Sequence, residues 1–248
     1  MIRTILWDVD NTLLDFEAAQ RAAIRTLFAK FRLGACTDEM LTRYNELNNL
    51  YWGRLERNEI KKPQVLIGRF EQFFREYGID PAVAVPFNDR YQLTLGDTIV
   101  HRDDCLRLID DLKGKVKQYV VSNGTVIAQT KKLDRSGIGK RMDGVFLSEE
   151  LGAEKPNAAF FEKVFDAIRP ADLNEVMIVG DSLTSDITGG MNAGILTCWY
   201  NPENKPVPDG YRIDYVIKSL NDLRPLLLPD CCAEHKEDPD KTAPEVHE

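Results

Sequence analysis

A chain of 248 residues, 43% apolar and 29% charged, carries enough hydrophobic material for a substantial core without a disulfide or metal staple. Its net charge of −8 excludes charge-driven tracking of a nucleic-acid backbone, so no polymeric nucleic-acid partner is expected. Five scattered cysteines, a short apolar N-terminal run that meets Asp8 at once, and no stretch of membrane-spanning length give the expectation of a cytoplasmic protein with free thiols and no membrane partner.

In chain order, the apolar run over residues 5–9 predicts a buried strand that ends on the acidic group Asp8-Val9-Asp10-Asn11-Thr12. From residue 16 to about 95 no strand pattern occurs. Helical spacing instead marks residues 22–31, then Leu41, Tyr44, Leu47, Tyr51 and Leu55, then Leu66, Phe70, Phe73, Phe74 and Tyr77. Further buried strands are predicted over 116–121, 145–147, 176–179, 195–199 and 215–217. Between them lie helical segments over 125–136 and 183–192, and an apolar stripe of Phe160, Phe161, Val164, Phe165 and Ile168 opened by Pro156. Gly189 and Gly190 count against the helix over 183–192, since paired glycines cost about 2 kcal/mol in a helix interior.

Such alternation predicts an α/β protein built on a doubly wound parallel sheet covered on both faces, with an inserted helical domain. The expected division is a core of residues 1–15 and 96–228, a helical insertion over 16–95, and an acidic tail over 229–248. That tail holds seven acidic and two basic residues and is expected to be disordered. Cys231, Cys232, His235 and His247 lie in it without the Cys-x-x-Cys spacing of a zinc site.

Four polar clusters fall at the ends of predicted strands, where open α/β sheets bind ligands. Asp8 and Asp10 would share one side of the first strand if it continued, and such a pair suits phosphoryl transfer. One carboxylate attacks phosphorus while the other, as the acid, protonates the departing oxygen. Ser122-Asn123-Gly124 offers a hydroxyl and backbone N–H groups before a helix, as a phosphate cradle does. Lys155 supplies a compact positive charge, and Asp181 supplies a hard oxygen ligand suited to Mg²⁺. Asp186, on the next helical turn, can hold a metal-bound water or orient Lys155. Taken singly, the first, second and fourth clusters are also read as a turn or a helix cap, and Lys155 as a solvated lysine. Together, the three charges of Asp8, Asp181 and Asp186 match those of one Mg²⁺ and Lys155.

These clusters, in this order, resemble the four signature motifs of the haloacid-dehalogenase-like superfamily, over nearly the whole chain from Ile2 to about Leu228. The resemblance implies a Mg²⁺-dependent hydrolase of small phosphomonoesters. Asp8 would be nucleophile and metal ligand, and Asp10 general acid/base and ligand through its backbone carbonyl. Ser122 and Asn123 would hold the phosphoryl group, Lys155 would balance charge, and Asp181 would complete the metal site. The helical insertion is similar to the family's C1-type cap.

A closer resemblance is to the branch of pyrimidine 5′-nucleotidases that act on non-canonical nucleotides. It is carried by Asn48-x-x-x-Trp52, Ile60 and Gly68-Arg69-Phe70, by Ser148-Glu149-Glu150-x-Gly152-x-x-Lys155-Pro156, and by Asp186-Ile187-x-Gly189-Gly190-x-Asn192-Ala193-Gly194. A nucleoside 5′-monophosphate is therefore the expected substrate. Trp52 is either a base-stacking or a core residue. Arg69 and Asn48 either read a polar edge or ribose, or Arg69 pairs with an acid on the surface. The alternatives are a phosphatase for sugar phosphates or phosphoglycolate, a 2-haloacid dehalogenase using the same aspartate, and a non-catalytic phospho-receiver.

Overall fold

A computed structural model describes residues 1–228, so the expectation of a disordered tail over 229–248 lies outside the described residues. Six strands form one parallel sheet in the order β3-β2-β1-β4-β5-β6. They are β1 (Thr4–Trp7), β2 (Lys117–Ser122), β3 (Gly144–Leu147), β4 (Val176–Gly180), β5 (Leu196–Tyr200) and β6 (Tyr215–Ile217). All six match the apolar runs to within a few residues, because strands buried on both faces carry continuous apolar sequence. β1 lies between β2 and β4, where the winding reverses direction. The carboxyl ends of these three strands thus meet at the crevice in which such sheets place their ligands.

The α-helices among the described residues are α1 (Phe16–Phe31), α2 (Asp38–Glu56), α3 (Lys62–Glu76), α4 (Ala84–Thr94), α5 (Cys105–Leu112), α6 (Val126–Ser136), α7 (Ser148–Leu151), α8 (Ala158–Ile168), α9 (Thr188–Ala193) and α10 (Arg224–Leu227). One sheet face packs Ile5, Trp7, Val120, Met177 and Val179 against Leu108, Ile109 and Leu112 of α5. The other packs Leu6, Val121 and Ile178 against Phe160, Phe161 and Val164 of α8. Helices α1–α4 share a separate aromatic core in which Phe70 stacks on Tyr44 at 4.9 Å and meets Phe74, Phe87 and Tyr91. Polar contacts that join this helical unit to the sheet body include Glu56 with Thr184, Lys62 with Ser148, Asn58 with Asn157 and Gln92 with Thr125.

Several local expectations are corrected. α1 begins at Phe16 rather than residue 22, because the Asp15 carboxylate accepts from the Ala18 N–H as an N-cap. α4 and α5 were not expected. Pro156 is not the first residue of α8; Asn157 caps that helix, and the Asn123 side chain holds both backbone groups of Lys155 outside it. The segment over 183–192 is a π-helical turn, Leu183–Ile187, running into α9.

The paired glycines of α9 are there for packing. A Cβ on Gly189 would lie 2.6 Å from the Phe161 ring, and one on Gly190 would lie 2.6 Å from Ile178 and 2.8 Å from Thr197. Gly190→Ala should therefore cost about 1–2 kcal/mol net, the overpacking of two buried β-branched side chains exceeding alanine's helix advantage. Urea unfolding of the variant against the parent chain measures it; equal midpoints would show that the sheet yields at no cost.

Candidate active site

β1 ends at Trp7, so the alternation that was expected to set Asp8 and Asp10 side by side does not operate. The chain turns instead, with the N–H groups of Thr12, Leu13 and Leu14 all directed to the Val9 carbonyl, and Asn11 in the left-handed region at φ 64°. The turn brings both carboxyls to one cavity of about 560 Å³, which Ser122, Asn123, Lys155, Asp181 and Asp186 also line.

Lys155 is the hub of the site. Its side chain is 1% exposed, and its Nζ donates to Asp8 Oδ1 at 2.9 Å, Asp186 Oδ1 at 2.6 Å and the Val121 carbonyl at 2.9 Å. Burial works against its charge, but Asp186 and Asp8 outweigh burial and hold the ammonium above the ordinary lysine range. Thr12, fully buried, donates to Asp8 Oδ2 at 3.1 Å and accepts from the Asp181 N–H at 3.1 Å, tying the first and fourth clusters together. The Trp199 indole donates to the Asp181 carbonyl at 2.9 Å. Gly180 admits Asp186, whose Oδ2 would lie 2.2 Å from any Cβ at that position.

Asp8, Asp181 and Asp186 each present a carboxylate oxygen within 4.8 Å of the others. Burial pushes the Asp8 carboxyl up to about 7, with Lys155 opposing and Asp186 and Asp10 adding to the rise. Burial likewise lifts Asp181 well above the carboxylate range, with Asp8 and Asp186 reinforcing it. Burial raises Asp186 too, against the pull of Lys155. One ammonium thus serves three carboxylates, and the uncompensated charge on hard oxygen donors fits a divalent cation such as Mg²⁺.

Asp10 stands apart from this trio. Its carboxylate pairs with Lys132, which is 2% exposed, and accepts from Gln129 Nε2 at 2.6 Å. Ser122 Oγ, buried, accepts from Gln129 Nε2 at 2.9 Å and from the Gly124 N–H at 3.1 Å. The Asn123 side-chain amide clamps the Lys155 backbone, donating to the carbonyl at 2.8 Å and accepting from the N–H at 2.9 Å.

Sequence reasoning missed Gln129 and Lys132, which sit on α6 among charged residues and read as solvated. Their spacing of three puts both on one helix face, a signal that was available. The surface pairing considered for Arg69 is also corrected: Arg69 is 2% exposed and donates from Nη1 to Asn48 Oδ1 at 2.6 Å. Asn48, Trp52 and Arg69 all line the same cavity as the acidic cluster.

The family model for haloacid dehalogenase-like hydrolases matches residues 2–194. The chain is 35% identical over 225 residues to the HAD-hydrolase YfnB of Bacillus subtilis, covering 91% of this chain and 95% of that one. A crystal structure of YfnB bound to magnesium superposes with a TM-score of 0.85 at 34% identity, over 92% of this chain and 99% of its own. The pyrimidine 5′-nucleotidase PynA of Streptococcus pneumoniae is 34% identical over 223 residues, 88% of this chain and 92% of that protein. The pyrimidine 5′-nucleotidase YjjG of Escherichia coli is 28% identical over 90% of this chain and 96% of its own. No described helix is long and apolar enough to cross a membrane. With four strand-end clusters gathered in one crevice, and relatives matched along almost their full length, the chain belongs to the haloacid-dehalogenase-like hydrolase family of enzymes.

Proposed function

We propose that the protein hydrolyses small phosphomonoesters through an aspartyl-phosphate on Asp8, with nucleoside 5′-monophosphates as the substrate class. The observation that carries this is Asp8 itself: a buried carboxylate, held by Lys155 and Thr12, in one cavity with a second carboxylate that has separate partners. An Asp8 oxygen forms a bond to phosphorus as the bond to the leaving oxygen breaks, and the Asp10 carboxylic acid gives that oxygen its proton. Asp10, now a carboxylate, takes a proton from water. The water oxygen then attacks phosphorus, breaks the acyl-phosphate bond and releases inorganic phosphate.

Lys132 and Gln129 hold Asp10 on the leaving-group side, while Ser122 and the Asn123 N–H hold phosphoryl oxygens and Lys155, its three N–H groups engaged by Asp8, Asp186 and Val121, balances charge. Asp8, Asp181 and the Asp10 carbonyl are the proposed Mg²⁺ ligands, with Asp186 alongside. Bound there, the ion would neutralise phosphate charge and polarise the phosphoryl group. Residues 16–95 are proposed to act as a cap that closes over the core of 1–15 and 96–228 and excludes bulk water. The names of PynA and YjjG support the nucleotide reading.

Steady-state kcat/KM across nucleoside 5′-monophosphates, sugar phosphates, phosphoglycolate and 2-chloropropionate tests it. Nucleotides are expected to lead the phosphate esters, with no chloride released. A sugar phosphate or phosphoglycolate turned over faster than every nucleotide would reverse the substrate assignment.

A further inference from the structure

We infer that Arg69, with Asn48, determines specificity by donating hydrogen bonds to an acceptor oxygen at the end of the substrate remote from the phosphate. The inference rests on the phosphomonoesterase reading and names the group that recognises the rest of the ester.

Among the described residues Arg69 is a buried cation without a counter-charge. Among the described residues its hydrogen-bond partner is a neutral amide oxygen, its Nε is buried with no partner, and no carboxylate comes within 4.0 Å of it. Around it stand aromatic faces, with ring centroids of Phe70, Tyr91 and Trp52 at 5.2, 5.4 and 6.0 Å from the guanidinium carbon. These faces attract a cation, but they do not replace the hydrogen bonds that a guanidinium loses on burial.

The placement is enforced locally. A Cβ on Gly68 would lie 2.7 Å from the Tyr51 ring, so the bare glycine lets α3 approach α2 and brings Arg69 to Asn48. Both residues line the cavity that holds Asp8 and Lys155. A buried, under-bonded cation on the wall of a reaction cavity is completed by a ligand.

The donor count selects the ligand's chemistry. Arginine has donors and no acceptor, and Asn48 spends its oxygen on Arg69, which leaves its Nδ2 donors. The pair therefore presents donors and suits carbonyl or carboxylate oxygens over amino groups. The Trp52 ring beside Arg69 gives a planar group a face to lie on. Ring carbonyls, as in a uracil-type base, and the carboxylate of phosphoglycolate are two sources of the same acceptor.

The test is Arg69→Met, with Arg69→Lys, assayed on UMP, CMP, phosphoglycolate and phenyl phosphate, the last having no remote acceptor. In Arg69→Met, KM for UMP should rise about tenfold or more beyond any change for phenyl phosphate. Tm should hold or rise, since an uncompensated buried charge is removed. A selective loss on phosphoglycolate instead would keep the acceptor and make it a carboxylate. Equal losses on UMP, phosphoglycolate and phenyl phosphate, with a lowered Tm in both variants, would reduce Arg69 to a structural residue and overturn the inference. So would unchanged KM values on every ester.

Calorimetry with uridine, which has no phosphate, separates the two claims. If the parent chain hydrolysed no ester yet bound uridine, and Arg69→Met bound it at least about tenfold more weakly, the phosphatase reading would fall and the Arg69 assignment would stand. No uridine binding by a parent chain that hydrolyses no ester would sink both.

Discussion

Asp8→Asn is expected to lower kcat/KM on a nucleoside monophosphate by about 10⁴-fold or more, the scale seen when a covalent nucleophile is removed. The substituted amide keeps the shape but loses the charge and the nucleophilic oxygen. It can still accept one hydrogen bond from Thr12 or Lys155, which together hold the carboxylate at 3.1 and 2.9 Å. The fold should survive. Asp8 is one of three clustered carboxylates sharing one ammonium, and Lys155 retains Asp186, 2.6 Å away in the parent, as a partner. In metal-free protein the loss of a repelling charge should leave Tm equal or higher. Acid quenching with ³²P-labelled substrate should trap label on the parent chain and none on the variant. Metal-dependent turnover by the variant within about a hundredfold of the parent would exceed what a lost nucleophile permits and reject the assignment.

What could be read in advance follows from what each residue packs against. The central strands were legible because a strand buried on both faces must be apolar at every position, as Val176–Gly180 is, and the edge strands β3 and β6 still carry short apolar runs. α4 was not, because its polarity runs against burial: Asn88 and Gln92 are buried there while Val85 and Leu93 are exposed. Gln92 is satisfied by a Thr125 hydroxyl 33 residues away, a partner that no local pattern reveals. α5 carries a plain stripe of Cys105, Leu108, Ile109 and Leu112, but at eight residues it was too short to be taken as a helix.

The candidate site divides the same way. Asp8, Asp10, Ser122, Lys155 and Asp181 stood out because chemistry-bearing residue types followed strand ends. Lys132 and Gln129 lie in mid-helix, where a lysine looks solvated until the tertiary contacts bury it, whereas Arg69 and Asn48 were singled out but their mutual bond, across 21 residues, was not legible. Asn123 was recognised as belonging to the site, but its amide is engaged with the Lys155 backbone across 32 residues.

Mg²⁺ is expected to stabilise the protein strongly at pH 8 and weakly at pH 5, and chelation is expected to silence it. The sign follows from the raised carboxyls. Burial lifts Asp8 to about 7 from an ordinary value of 3.8, and lifts Asp181 and Asp186 in the same direction. A carboxyl whose folded pKa is raised contributes stability that is complete below about 4 and is lost as pH climbs through the folded value. Metal-free protein should therefore lose stability between about pH 4 and 7, by on the order of a few kcal/mol, as protons leave a cluster that Lys155 alone cannot neutralise.

Cation binding requires those same protons to be gone, so its stabilisation grows over the window in which the metal-free protein weakens. Tm measured from pH 5 to 8 with and without millimolar Mg²⁺ should give two curves that diverge above about pH 6. Excess chelator should reduce turnover to the background, and added Mg²⁺ should restore it. Parallel curves would remove Asp8 and Asp181 from the metal site. Full activity in chelator would show that Lys155 suffices as the cation and end the charge argument.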